Sequence, residues 1–123
     1  MQCVERKTSS PGVRVFVARD RDAILGEVGR WSRDLRRRDA NVLRVGLFGS
    51  YATGAYGPGS DLDILVIVRS SGEPRWFMRS SSVDVAALSV GADLFVYTEP
   101  AAEQMRRDSA WFHHVLGEMI WLE

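Results

Sequence analysis

The chain has 123 residues, 46% hydrophobic and 10% aromatic, which is enough for one compact domain with a core and leaves little for a second. Its 16 basic and 16 acidic side chains cancel, so no overall field draws it to nucleic acid or to an anionic membrane, and any polyanion must be met locally. The longest apolar run, Ile64 to Val68, falls far short of the roughly 20 residues of a bilayer-spanning helix, and the single cysteine, Cys3, excludes an internal disulfide and a cysteine-based zinc site.

Residues 1–12 are polar, lack the apolar core of a signal peptide and close on Pro11-Gly12. They read as a flexible leader to one domain at 13–123, in a protein expected to be soluble and cytoplasmic. Val13 to Val17 has the alternation of a short strand. From Asp20 to about Arg38, Ile24, Val28, Trp31 and Leu35 recur at helical spacing, which predicts an amphipathic helix with Trp31 in the core. Arg36, Arg37 and Arg38 suit that helix's negative C-terminal end and read as a solvated cap rather than an RNA patch. Val42 to Phe48 is the next strand, and Gly49 to Gly54 a tight turn with one helical turn, broken by Gly57-Pro58-Gly59. Asp61 to Val68 follows as a strand whose unbroken apolar run predicts cover on both faces, as for a central strand.

Pro74 to about Leu88 reads as a helix with Trp76, Phe77, Val83 and Leu88 as its apolar contacts. Gly91 precedes a third strand, Asp93 to Tyr97. Thr98 is placed to cap a helix carrying Glu99 and Pro100 in its first turn and reaching about Arg107. A further helix covers Ala110 to Leu116, and Met119 to Leu122 reads as an edge strand. Helices alternate with strands, so the fold class is α/β, a small mixed β-sheet flanked by helices.

The stretch "LFGSYATGAYGPGSDLDILVIV", residues 47–68, carries the chemistry. On a strand, residues i and i+2 share a face about 6.6 Å apart, so Asp61 and Asp63 project side by side and repel unless a cation sits between them. Magnesium, a hard cation that takes oxygen ligands and keeps positions open for phosphates, suits such a pair. Gly49 and Ser50 end one strand and open a helical turn, where free amides and a hydroxyl can hold phosphate. A Gly-Ser turn alone, or an Asp-x-Asp alone, is usually an ordinary turn or a solvated strand entry. Joined by a fixed spacer and followed by an apolar strand, the two supply a phosphate cradle beside a metal-binding pair, the parts for phosphoryl or nucleotidyl transfer.

The composite motif resembles the Gly-Ser…Asp-x-Asp signature of the DNA polymerase beta-like nucleotidyltransferase superfamily. "ADLFVYTEPAAEQM" and "VLGEMIWLE" look like the third-acid strand and the ending of its minimal (MNT-type) members, so the likeness runs from about Asp20 onward. It implies the nucleotidyltransferase fold, two Mg2+ ions, and transfer of NMP from an NTP, with ATP as the expected nucleotide. By position, Asp61, Asp63 and Asp93 match the catalytic, metal-binding carboxylates, Asp93 being the third acid that can take the acceptor's proton. Asp84 competes for that third role from a segment read as helical. Gly49 and Ser50 match the residues that hold nucleotide phosphates, with Ser60 in a supporting place. Many relatives carry arginine where this chain has Tyr51 and Thr53, which implies either weaker nucleotide binding or a phosphate contact moved to another residue, such as Arg69 or Arg44.

Small members of the superfamily are often encoded beside a helical HEPN-type partner, and some act as antitoxins that add AMP to a tyrosine of that partner. A helical HEPN-type protein is therefore the partner the resemblance implies. Trp111, Phe112 and Trp121, crowded near the C-terminus, read equally as a contact patch or as core. The exposed edge strand makes homodimerisation a further expectation. His113 and His114 lie about 100° apart on a helix and cannot readily share a metal. The competing expectation is a non-catalytic module that keeps the fold and neutralises a toxin by occlusion.

Overall fold

The computed structural model describes residues 20–70, 85 and 87–122. Asp20 opens the first helix, α1 (Arg21–Arg38), by accepting the Asp22 amide on its side chain, which satisfies an amide the helix itself leaves without a partner. Ile24, Val28, Trp31 and Leu35 form the buried stripe that their spacing predicts. Arg37 and Arg38 are exposed at the far end, but Arg36 has another use. Its guanidinium donates to the Leu122 carbonyl at 3.2 Å and ties the helix end to the last strand.

Four strands, β1 (Val42–Phe48), β2 (Leu62–Val68), β3 (Ala92–Thr98) and β4 (Ile120–Leu122), lie in the order β3-β2-β1-β4. β1 runs antiparallel to β2 and β4, while β2 and β3 are parallel, so the sheet is mixed. A single helical turn, α2 (Ser50–Thr53), follows β1, and α3 (Glu99–Asp108) and α4 (Ala110–Glu118) join β3 to β4. The apolar run of β2 is covered on both faces, as expected of a central strand. Ile64, Val66 and Val68 pack with the α1 stripe, whereas Leu65 and Ile67 pack with Ala102 of α3 and Phe112 and Val115 of α4. Full burial of each such large aliphatic or aromatic side chain contributes about 1.5–3 kcal/mol, so the two helical layers hold the sheet between them.

Thr98 caps α3 by accepting the Ala101 amide, and Ser109 does the same for α4 through Phe112. α4 runs to Glu118, two residues past its expected end, and β4 is correspondingly shorter. Gly117 does not stop the helix, because Met119 makes the cap and lays its side chain on Gly46. A Cβ on Gly46 would collide with the Met119 sulfur and press on the Trp121 ring, so that glycine lets the chain cross β1 closely.

The expected strand at 13–17, most of the expected helix at 74–88 and the leader lie outside the described residues. At the far end of that helix, Leu88 donates to the Val85 carbonyl at 3.0 Å in a turn. Among the described residues no helix is long and apolar enough to cross a membrane.

Candidate functional site

The strand registers bring the predicted acids to one end of the sheet. Phe48, the last residue of β1, pairs with Asp63, and Asp63 pairs in parallel with Asp93. Alternation puts Asp63 and Asp93 on the face of Leu65, Ile67, Phe95 and Tyr97, the face covered by α3 and α4. Asp61 stands just before β2 rather than opening it, and continues the same alternation. Its carboxylate lies against Gly91, where an added Cβ would come within 2.7 Å of Oδ1. The Leu62 amide donates to the Gly91 carbonyl at 2.8 Å, which fixes this entry to β2. Asp61 and Asp93 are exposed and Asp63 is half-buried between them. Asp84 lies outside the described residues.

Gly49 and Ser50 stand beside this acid group. Gly49 has φ 79° and caps α2, and the Asp63 carboxylate occupies the space a Cβ would need. Glycine is thus required here by the neighbouring acid as well as by the backbone conformation. The Ser50 hydroxyl has no partner among the described residues. A residue that sequence reasoning missed steadies the turn: Arg21 of α1 donates Nε to the Tyr51 carbonyl at 2.7 Å and a second nitrogen to the Ala52 carbonyl at 2.8 Å. No local pattern distinguishes Arg21 from the other arginines of its helix. Ser60 closes the loop that delivers Asp61, its hydroxyl accepting the Gly57 amide at 2.9 Å.

The two arginines expected to stand in on the phosphate side are placed elsewhere. Arg44 lies over the Trp121 ring at 3.6 Å, and Arg69 follows β2 at the end opposite Asp63. Tyr51 is a core residue stacked on Tyr56 at 4.6 Å. The C-terminal aromatics divide: Phe112 is buried, Trp121 lies beneath Arg44, and Trp111 is 41% exposed, packing against Phe48 and Phe95.

A fourth acid joins the site through the edge strand. β4 pairs Leu47 with Ile120, and continuing that antiparallel register by two residues sets Glu118 opposite Gly49. Glu118 Oε1 accepts the Gly49 amide at 3.1 Å, and Oε2 meets His114 Nε2 at 3.2 Å. His113 instead contacts the Arg106 carbonyl, so the two histidines share no partner. In the sequence Glu118 is one acid near a helix end, and only the β1–β4 pairing gives it a place.

A family model described as the nucleotidyltransferase domain matches residues 29–118. The chain belongs to this nucleotidyltransferase family. Its fold is shared with a solved protein of Sulfolobus solfataricus assigned as a nucleotidyltransferase, at 25% identity and a TM-score of 0.56, over 68% of this chain and 75% of that one. A toxin–antitoxin structure with AMP-PNP is similar at 22% identity and a TM-score of 0.52, over 77% of this chain and 72% of that one. No curated protein gives a significant match.

The electrostatics of this nucleotidyltransferase domain centre on Asp63. Burial first, then repulsion from Asp93, Asp61 and Glu118, holds its carboxyl above the usual carboxylate range. Such an arrangement favours a cation, and the all-oxygen donor set fits a hard divalent ion. Among the described residues no three acidic, histidine or cysteine side chains already close around one point. The fit is to an ion held by one or two carboxylates at a time, with its remaining positions left to water and phosphate oxygens, which is the habit of magnesium.

Proposed function

We propose that the chain is a metal-dependent nucleotidyltransferase that moves NMP, with AMP from ATP as the leading case, onto a hydroxyl acceptor. The acceptor we favour is a tyrosine of a helical HEPN-type partner, with the chain acting as antitoxin. The observation that carries the reading is the in-register pair Asp63 and Asp93, flanked by Asp61 and facing the Gly49-Ser50 turn. Family membership and the fold shared with a toxin–antitoxin structure containing an ATP analogue support it.

In this mechanism Asp61 and Asp63 would hold the metal, with Asp93 completing the acidic group. Bound magnesium would make the acceptor hydroxyl more acidic and neutralise charge developing on the departing pyrophosphate. Ser50 and the amides of the Gly49 turn hold the phosphates so that the α-phosphorus lies in line with the attacking oxygen. The acceptor oxygen bonds to the α-phosphorus, the bond to the bridging oxygen of the β-phosphate breaks, and the acceptor's proton passes to Asp93. The exposed Trp111 packs against Phe48 and Phe95 of the same sheet face and offers an incoming partner an aromatic contact.

Calorimetric titration of Mg-ATP into the protein and into an Asp61→Asn/Asp63→Asn double variant tests the reading. Magnesium-dependent binding that vanishes in a folded double variant is the expected result. Absence of binding by either form would favour occlusion without catalysis, the second reading, to which the burial of Tyr51 in place of a phosphate-side arginine lends support.

A further inference from the structure

We infer that Glu118 is a positioning residue that holds the Gly49 turn in the nucleotide-free protein by occupying, with its carboxylate, the amide that a phosphate oxygen takes when nucleotide enters. The inference rests on the nucleotidyltransferase reading of the Gly49-Ser50 turn and assigns a role to a residue outside the three aspartates.

Glu118 is an acid in an unfavourable place. It ends α4, where the macrodipole is negative and a carboxylate is disfavoured, and its charge adds to the repulsion felt by Asp63. Two contacts offset this: the Gly49 amide at 3.1 Å on one oxygen and His114 at 3.2 Å on the other. The Glu118 side chain is only 24% exposed, so these contacts sit in a partly desolvated setting where a charge-assisted hydrogen bond counts for more than in water. The amide it takes belongs to the residue that the Asp63 carboxylate touches, so donor, cation-seeking acid and Glu118 share one small volume. A triphosphate entering that volume brings oxygens that compete for the same N–H. His114 is 73% exposed and stands on the solvent side, giving Glu118 a partner to keep when it releases Gly49.

The consequence has a definite sign. A residue that merely built the turn would weaken nucleotide binding when altered, whereas a competitor for the amide strengthens it. Glu118→Gln keeps an acceptor for Gly49 but loses the charge, and Glu118→Ala loses both. Since a hydrogen bond to a charged group contributes about 1 kcal/mol more than a neutral one, Mg-ATP should bind Glu118→Gln about fivefold more tightly than wild type, with Glu118→Ala at least as tight.

The experiment is calorimetric titration of Mg-ATP into wild type and both variants, with thermal melting of each to establish that it is folded. Amide hydrogen exchange at Gly49 without nucleotide supplies a second readout, with faster exchange expected in Glu118→Ala. Binding by wild type together with equal or weaker binding by folded Glu118→Gln overturns this inference and leaves the transferase reading standing. No binding by any of the three overturns both. If Glu118→Ala fails to fold, Glu118→Gln decides.

Discussion

Replacing Asp63 with asparagine should make the metal-free protein more stable while removing its metal-dependent nucleotide binding. Asp63 and Asp93 are in register on neighbouring parallel strands, which lie about 4.8 Å apart. Unit charges at that separation repel by about 0.9 kcal/mol at the dielectric of water and about 3.5 kcal/mol at an effective value of about 20. Because Asp63 is half-buried and Asp93 exposed, screening brings the expected gain on neutralising Asp63 to about 1 kcal/mol. In a domain of this size that corresponds to a rise in melting temperature of about 4 °C. The sign with pH is fixed by the direction of the shift. A carboxyl held above its ordinary range when folded carries no penalty below its unfolded pKa, and the full penalty once pH has risen through its folded value. Wild type should therefore lose stability relative to Asp63→Asn as pH rises through the acid range, and the two should converge in strong acid. Melting curves in chelator across that range give the difference directly. Adding magnesium and ATP should raise the wild-type melting temperature and leave the variant unchanged. A variant that melts below wild type in chelator at neutral pH, or a gap that does not close in acid, would refute the argument that burial and the neighbouring acids together disfavour a charged Asp63.

Three further outcomes are expected. Gly49→Ala forces a side chain onto a backbone at φ 79° and into the Asp63 carboxylate, so denaturant unfolding should show a loss of about 1–3 kcal/mol, with nucleotide binding lost as well. Arg21→Ala removes both hydrogen bonds to the α2 carbonyls; a loss of about 1–3 kcal/mol by the same assay, with weaker nucleotide binding in calorimetry, would show that α1 steadies the turn. Ser32 is fully buried and its hydroxyl has no hydrogen-bond partner among the described residues, so Ser32→Ala should raise stability by about 1 kcal/mol in thermal melts and leave nucleotide binding unchanged.

The sheet and its helices were legible because their signals are local. The stripe of α1, the unbroken apolar run of β2 and the Thr98 cap each report a periodicity or a hydrogen bond made within a few residues. Where expectation and structure differ, a long-range contact decided. α4 runs past Gly117 because Met119 finds its place on Gly46, and Arg36 leaves the solvated cap because the Leu122 carbonyl lies within reach. Arg44 looked available for phosphate until the sheet set Trp121 beneath it.

The candidate site divides along the same line. Asp61 and Asp63 are two residues apart, and Gly49-Ser50 precedes them by a short spacer, so chain geometry alone holds them near one another and their chemistry could be read directly. Asp93 was nominated by resemblance, and its partnership with Asp63 exists only through the parallel pairing of β2 with β3. Glu118 and Arg21 could not be found in this way, because an acid at a helix end and an arginine among several carry no distinguishing pattern. The sequence by itself determined which short-range groups could hold a cation and a phosphate, since strand alternation and turn conformation act over a few residues. Only the tertiary structure decided which distant charges surround them, because electrostatic interaction depends on separation in space, and the registers of β3 and β4 set that separation.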